Sequence, residues 1–412
     1  MADTETVSME ARALEARARQ VIPNGMYGHQ SVANMPPGTP QFFERAQGAY
    51  LWDGGGKRYL DLMCGYGPQL LGYGHPAIDA AYIDQMRRID TATAPSGLMV
   101  ELAEAFTGMV GHADWAIFCK NGTDATTMAM MTARAHRGRS KVLVASGAYH
   151  GAAPWCTPMP AGTTAGERAD LIHYTYNEVD SLEAAVEEAG DDLAGIFASP
   201  FKHDVMVDQQ MPDPAYAARA RALCDEKDAL LIVDDVRAGF RIARDGSWAS
   251  LGVEPDLSSW GKAIANGHPL SALLGSDRAR AGAEKLYVTG SFWFSAAPMA
   301  ASLATLEIIR TSDYLERTVS MGTRLRDGLA AAAAQAGLEL SQTGPVQMPL
   351  IMLLDGDGNR DMEGGFAFCA AMIERGIYFH PWHNMFISAA MTDTDIDQAV
   401  HTATDVFPRL RG

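Results

Sequence analysis

Residues 229–262 read ALLIVDDVRAGFRIARDGSWASLGVEPDLSSWGK, and the way this stretch begins decides the fold. An apolar run from Ala229 to Val233 stops abruptly at two acids, Asp234 and Asp235. A short β-branched run bounded in this way predicts a fully buried strand of a parallel sheet. In open α/β sheets the ligand crevice lies beyond the carboxyl ends of the strands, so an acid placed there is a functional candidate. The run resumes at Pro255-Asp256-Leu257 and reaches Ser259-Trp260-Gly261-Lys262-Ala263, which sets a lysine among apolar and small residues. Desolvation in such a setting lowers the pKa of an ammonium and makes its amine a usable nucleophile toward carbonyls.

A buried acid and a buried lysine, each at the end of its own strand, match what pyridoxal 5'-phosphate (PLP) requires. The lysine amine holds the aldehyde, and the carboxylate keeps the pyridine nitrogen protonated so that the ring can accept electrons. Taken alone, the stretch also fits a plain Asp–Lys ion pair at a strand end.

Asp234-Asp235-Val236-Arg237-Ala238-Gly239-Phe240-Arg241, followed by Pro255-Asp256 and Gly261-Lys262-Ala263-Ile264, resembles the signature of class III (ω-type) PLP-dependent aminotransferases. The Gly-Phe-Arg ending is most similar to the glutamate-1-semialdehyde aminomutase-like branch. The resemblance runs from Ile22 to the C-terminus and includes several motifs in the right order. It implies an α/β protein of PLP-dependent transferase fold type I, in which a large domain with a mostly parallel seven-stranded sheet is joined to a smaller α+β domain. The expected organisation is an N-terminal segment, residues 1–65, packing with the small domain; a large cofactor domain, 66–311; and a C-terminal small domain, 312–412.

A chain of 412 residues is ample for two or three domains and a large core. Its formal net charge of −17 argues against nucleic-acid or anionic-membrane partners. The five cysteines (Cys64, Cys119, Cys156, Cys224, Cys369) are widely spaced and form no CxxC pair, so they read as reduced thiols of a cytoplasmic protein. The N-terminus lacks a secretory h-region, and no apolar run is long enough to span a bilayer.

Along the chain, residues 7–21 alternate Ala, Leu and Arg at helical spacing and predict an amphipathic helix. Residues 22–40 are Pro/Gly-rich and irregular and carry Tyr27. Residues 42–62 read as a β-meander turning at Gly54-Gly55-Gly56. The glycines of residues 64–76 are taken as turn formers. A strand at 114–119 leads through Lys120-Asn121-Gly122-Thr123 into a helix ending at Arg137, and the free N–H groups and dipole of that helix start make an anion site. An ordinary threonine N-cap would look the same. Asp124 should point away from any phosphate and cap backbone. The strands at 141–145 and 195–198 alternate with helical stretches (180–189, 214–225, 296–311), which argues for a doubly wound sheet.

The resemblance implies further roles. Gly122 and Thr123 would cup the cofactor phosphate, Tyr149 would stack on one ring face, and Val236 would cover the other. His150 is read as a neighbour. Ser199-Pro200 stands where relatives commonly have Glu-Pro. In residues 287–298 a hydroxyl would reach the cofactor phosphate of a neighbouring subunit; extra residues blur the register, so Thr289, Ser291 and Ser295 are all candidates. The active site would then be shared across a homodimer. The run Phe292-Trp293-Phe294 would equally serve core or interface packing. His380-Pro381-Trp382-His383 has His–x–x–His spacing, but Pro381 breaks a helical face and no third ligand is near, so no metal is expected.

The expected activity is amino-group transfer between an amine or amino-acid donor and a carbonyl acceptor by ping-pong chemistry, with Lys262 as base and Asp234 holding the ring proton. A PLP aminomutase, racemase or epimerase is the alternative. The aminomutase branch carries an Arg in its N-terminal loop, whereas residues 24–40 hold no Arg or Lys. Two substrate classes remain: an apolar amine bound by aromatics such as Tyr27, Phe292, Trp293 and Trp382, or an amino acid clamped by Arg237 or Arg241.

Overall fold

The computed structural model describes residues 9–411. In chain order the principal elements are α1 (Met9–Val21), β1 (Phe43–Gln47), β2 (Tyr50–Asp53), β3 (Arg58–Asp61), α2 (Pro76–Arg88), α3 (Leu98–Thr107), β4 (Trp115–Cys119) and α4 (Gly122–Arg137). They continue with β5 (Lys141–Ala145), β6 (Leu171–Tyr174), α5 (Val179–Ala189), β7 (Leu193–Ala198), α6 (Pro214–Lys227), β8 (Leu230–Asp234), β9 (Leu257–Trp260), β10 (Ser271–Gly275), α7 (Asp277–Ala283) and α8 (Ala296–Thr311). The last are α9 (Tyr314–Gln335), β11 (Glu339–Thr343), β12 (Leu350–Leu354), α10 (Met362–Glu374), β13 (Ile377–Tyr378) and α11 (Asp393–Val406). The first two residues of the helix expected at 7–21 lie outside the described residues.

The chain divides into two compact units, one of residues 1–75 with 316–412 and the other of residues 76–315. In the first unit β1, β2 and β3 form the antiparallel meander, and β13 joins its edge parallel to β3. A separate antiparallel pair, β11 and β12, completes its sheets.

The second unit is built on a seven-stranded sheet in the order β4-β10-β9-β8-β7-β5-β6. The ladders from β6 through β9 are parallel, and β10 alone runs antiparallel to both of its neighbours. Side chains of a strand alternate between faces, and here both faces are apolar. Leu231 and Val233 pack with Ile196, Ala198 and residues of α5 and α6, whereas Leu230 and Ile232 pack with Phe197, Val144 and residues of α4 and α7. Helices therefore cover both sides, which is why β8 reads as a continuous hydrophobic run.

Asp256 fixes where β8 starts. Its carboxylate accepts from the Leu231 amide at 2.8 Å and from Arg221 Nη1 at 2.8 Å, and its own amide donates to the Leu231 carbonyl. The Pro255-Asp256 pair is thus structural, tying the entry of β9 to β8. No helix among the described residues is long and apolar enough to cross a membrane.

Candidate active site

Six strands end on one rim of the second unit's sheet, and the candidate chemistry sits at or just beyond the ends of five of them. Beyond β4 comes the start of α4; beyond β5, Tyr149 and His150; beyond β7, the segment Ser199 to Asp204. Strand β8 ends in Asp234 itself, and β9 is followed by Lys262. This is the edge at which open α/β sheets bind ligands.

Asp234 is 5% exposed and both of its oxygens are held. Oδ2 lies 2.7 Å from His150 Nδ1, and Oδ1 accepts from the Val236 amide at 3.2 Å. The His150 ring is itself fixed, 4.8 Å from Phe197 and stacked on Trp155. The histidine read as a neighbour is therefore a direct partner of the acid. A His following an aromatic at a strand end was the only trace of this in the sequence.

Lys262 opens a short turn with φ of +49°, a left-handed conformation that non-glycine residues avoid and that collects at functional sites. The residue as a whole is partly exposed, but burial of its amine end pushes its pKa down to about 7. Arg237 and Arg241 act in the same direction and Asp234 against it. At neutral pH much of this amine is unprotonated, the state a nucleophile or base needs.

Val236 stands between Asp234 and the two glycine-bearing turns. A Cβ on Gly122 would come within 2.6 Å of Val236 Cγ1, and one on Gly261 within 3.4 Å of the same atom and 2.8 Å of Ser271 Oγ. Glycine at these positions lets the start of α4 and the peptide before Lys262 close on Val236. Thr123 is next in the chain; its hydroxyl accepts from the Ala152 amide at 3.2 Å, binding the loop after β5 to α4. Asp124 caps backbone as expected, accepting from the Asn121 amide at 2.9 Å.

Arg237 is buried, and Nη1 donates to the His203 carbonyl at 3.3 Å. Burial brings its pKa down to about 10 against the pull of Asp234, Tyr149 and Asp204. Asp235 lies elsewhere in the packing: it takes the Ser247 amide at 3.2 Å, its Oδ1 has no partner among the described residues, and burial raises its pKa to about 7. Tyr149 is half-buried within electrostatic range of Asp234 and Arg237.

The remaining candidates of the second unit lie outside the contacts just described. Thr289 and Ser291 lie on the exposed surface of the second unit, whereas Ser295 is buried and hydrogen-bonded to Thr91 at 2.7 Å. Trp293 packs partly buried against the core on the α4 face, and Phe292 is 60% exposed beneath the Lys120 ammonium. Tyr27 and Trp382 belong to the first unit. Tyr27 is 67% exposed, and Trp382 stands edge-on to His380, whose Nδ1 accepts the His383 amide.

The donor set fits PLP: a buried carboxylate, a lysine with a depressed pKa, a helix start offering free amides, and a cradle closed by glycines. Comparison with known proteins gives the same class. The family model for class-III aminotransferases matches residues 32–407, and the chain belongs to that family. It is a PLP-dependent enzyme of fold type I that moves amino groups between an amine or amino-acid donor and a carbonyl acceptor by ping-pong chemistry.

The chain is 55% identical over 394 residues to the aminopentol aminotransferase of Sphingopyxis macrogoltabida, with 96% of this chain and 93% of the relative covered. It is 30% identical over 397 residues to the 3-aminobutyryl-CoA aminotransferase of Cloacimonas acidaminovorans (strain Evry), covering 96% and 95%. A solved structure, the FumI protein of Sphingopyxis sp. MTA144 in its PLP internal aldimine form, superposes with a TM-score of 0.96 at 53% identity, covering 98% of this chain and 97% of that one.

Proposed function

We propose that this enzyme takes its amino group from an amine without a free carboxylate, and that Lys262 anchors the cofactor while Asp234 holds its ring nitrogen. The observation that carries the placement is the junction of Asp234, Val236, Gly122 and the Gly261-Lys262 turn at neighbouring strand ends. In this reading the amides at the start of α4, with Thr123, hold the phosphate, and Tyr149 and Val236 lie against the two ring faces.

When bound, PLP supplies an electron sink for the carbanion left by loss of the donor's proton. The chain supplies the rest. With PLP bound, Lys262 would hold its aldehyde and, once freed by the donor, would act as the base that takes this proton and returns it across the donor nitrogen, two atoms along; its depressed pKa makes it competent near neutrality. Asp234, held by His150 and the Val236 amide, would keep the ring nitrogen's positive charge in place.

The substrate class rests on what is missing and on the relatives. Residues 24–40 contain no guanidinium. The substrates of the two relatives, an aminopentol and an acyl-CoA thioester, carry no free carboxylate in their names. The second reading, an amino acid clamped by Arg237, is favoured by the burial of that cation. We place the enzyme in the cytoplasm as a homodimer in which Thr289 and Ser291 reach the partner's phosphate site. The exposed apolar side chains of Val100, Tyr287 and Phe292 would be covered in that assembly.

The deciding experiment is a half-reaction spectrum. The holoenzyme is mixed with amines, α-amino acids and β-amino acids while the aldehyde-form band is followed as it converts to the amine-form band. Conversion by aliphatic amines lacking a carboxylate is expected. Conversion by carboxylated donors alone would transfer the clamp to Arg237 and reject the amine reading.

A further inference from the structure

The turn that carries Lys262 is clamped at two points. Asn266 repeats the left-handed conformation of Lys262 four residues on, with φ of +43°, and Gly267 follows at +98°. Non-glycine residues persist in that region only where their surroundings over-determine them. On one side the Ser302 hydroxyl of α8 donates to the Ile264 carbonyl at 2.7 Å. On the other, the His268 amide donates to the Ala265 carbonyl at 3.0 Å, and its ring reaches from the turn to α2. That ring stacks on Tyr82, with centroids 4.3 Å apart and planes 19° off parallel. Its Nε2 lies 3.5 Å from Asp79 Oδ1.

Asp79 and Tyr82 are three residues apart on α2, so both meet the imidazole from one face of the helix. Helices α2 and α8 pack on each other. The two handholds therefore belong to one body, and they grip the turn at Ile264 and at His268, on the chain just beyond Lys262. We propose that His268 is a positioning residue for the Lys262 amine: its stack on Tyr82, backed by Asp79, holds the turn closed and keeps the amine out of water. Without the stack the left-handed residues relax, the amine gains water and holds its proton more tightly. This rests on the reading that Lys262 anchors the cofactor.

The test is the pH dependence of PLP capture by the full-length enzyme freed of cofactor, followed by absorbance, with a melting curve taken beside it. His268→Ala should move the capture midpoint up by about half to one pH unit, the strength of one aromatic pair expressed as a proton affinity. His268→Phe keeps a ring on Tyr82 and should restore the wild-type midpoint. Tyr82→Leu removes the stack from the other side and should reproduce the shift. Added to His268→Ala, it should move the midpoint no further. It also carries the test alone if His268→Ala fails to fold.

A lower melting temperature with an unmoved midpoint would make His268 a structural residue and overturn the proposal. So would a shift in His268→Phe equal to that in His268→Ala, which would trace the effect to the imidazole's contact with Asp79 and away from the stack. Wild-type enzyme that captures PLP no better than Lys262→Ala would remove the anchor reading itself, and the role of His268 with it; the other two outcomes leave wild-type capture intact.

Discussion

His150 Nδ1 lies 2.7 Å from Asp234 Oδ2, and neither residue is more than 5% exposed. The ring N–H donates to the carboxylate, while the Val236 amide takes the other oxygen. The acid is therefore locked in orientation from two sides. Removing the imidazole in His150→Leu leaves one carboxylate oxygen buried and unpaired. Loss of one hydrogen bond to a charged group predicts a fall in kcat of roughly tenfold to a hundredfold, with the cofactor still captured at Lys262. Asp234→Asn removes the charge itself and should cost roughly 10²- to 10³-fold or more. Steady-state kinetics on the two variants check the order, and Asp234→Asn within tenfold of wild type would reject its assignment.

Lys262 gives a prediction with a definite sign. Its pKa falls from 10.5 in the open chain to about 7 in the folded one. Between those values the unfolded chain binds a proton that the folded chain lacks, so this residue's contribution to stability rises with pH from about 7 to 10.5. Below that window its destabilisation is complete. Apoenzyme carrying Lys262→Met should melt higher than wild type at pH 7, with the gap closing toward pH 10. Asp235, raised to about 7 by burial, acts below this window and is common to both proteins. In parallel, the rate at which wild-type apoenzyme captures PLP should rise with a midpoint near 7. Arg237→Met should move that midpoint up, because the guanidinium lowers the lysine pKa, and Asp234→Asn should move it down. Lys262→Ala should show neither capture nor turnover.

The sequence discloses some of this site and conceals the rest for identifiable reasons. Strand β8 is legible because both faces of the sheet are covered, so its side chains are apolar without alternation. Three strands escape the same reading. In β6, a sheet-edge strand, His173 is exposed; β10 is a run of five residues ending in glycine; and β11 is polar and half-buried. Lys262 and Asp234 stand out because a charge interrupts apolar sequence. His150 does not, since the distance that matters joins residues 84 apart. The hydroxyls at 289, 291 and 295 are equivalent in sequence, and only burial and the Thr91 hydrogen bond set Ser295 apart.

Gly122→Ala tests the cradle. The added methyl would lie 2.6 Å from Val236 Cγ1, too close for any real contact, and α4 cannot retreat without breaking its buried packing on β9 and β10. Overpacking of this kind costs about 1–3 kcal/mol. The expected result is a lower melting temperature together with weakened PLP binding, because the amides at the helix start would be displaced. Val236→Ala in the same chain should restore both, and a double variant no better than Gly122→Ala would show that the two residues do not press on each other.

Whether the active site is shared between subunits can be read from complementation. Lys262→Ala removes the anchor from a subunit's own site, while Thr289→Ala/Ser291→Ala removes hydroxyls that, on this reading, serve the partner's site. Both hydroxyls are on the surface, next to the 60% exposed Phe292 and the 91% exposed Tyr287, so neither is needed for the fold of its own unit. Each homodimer should be inactive or strongly impaired. When the two are unfolded together and refolded, a two-fold assembly gives half hybrids, each with one site in which Lys262 meets intact hydroxyls. Activity should return to about a quarter of wild type. Hybrids that remain as inactive as the parents would mean that Thr289 and Ser291 act within their own subunit, since both defects would then fall in separate sites and leave no site whole.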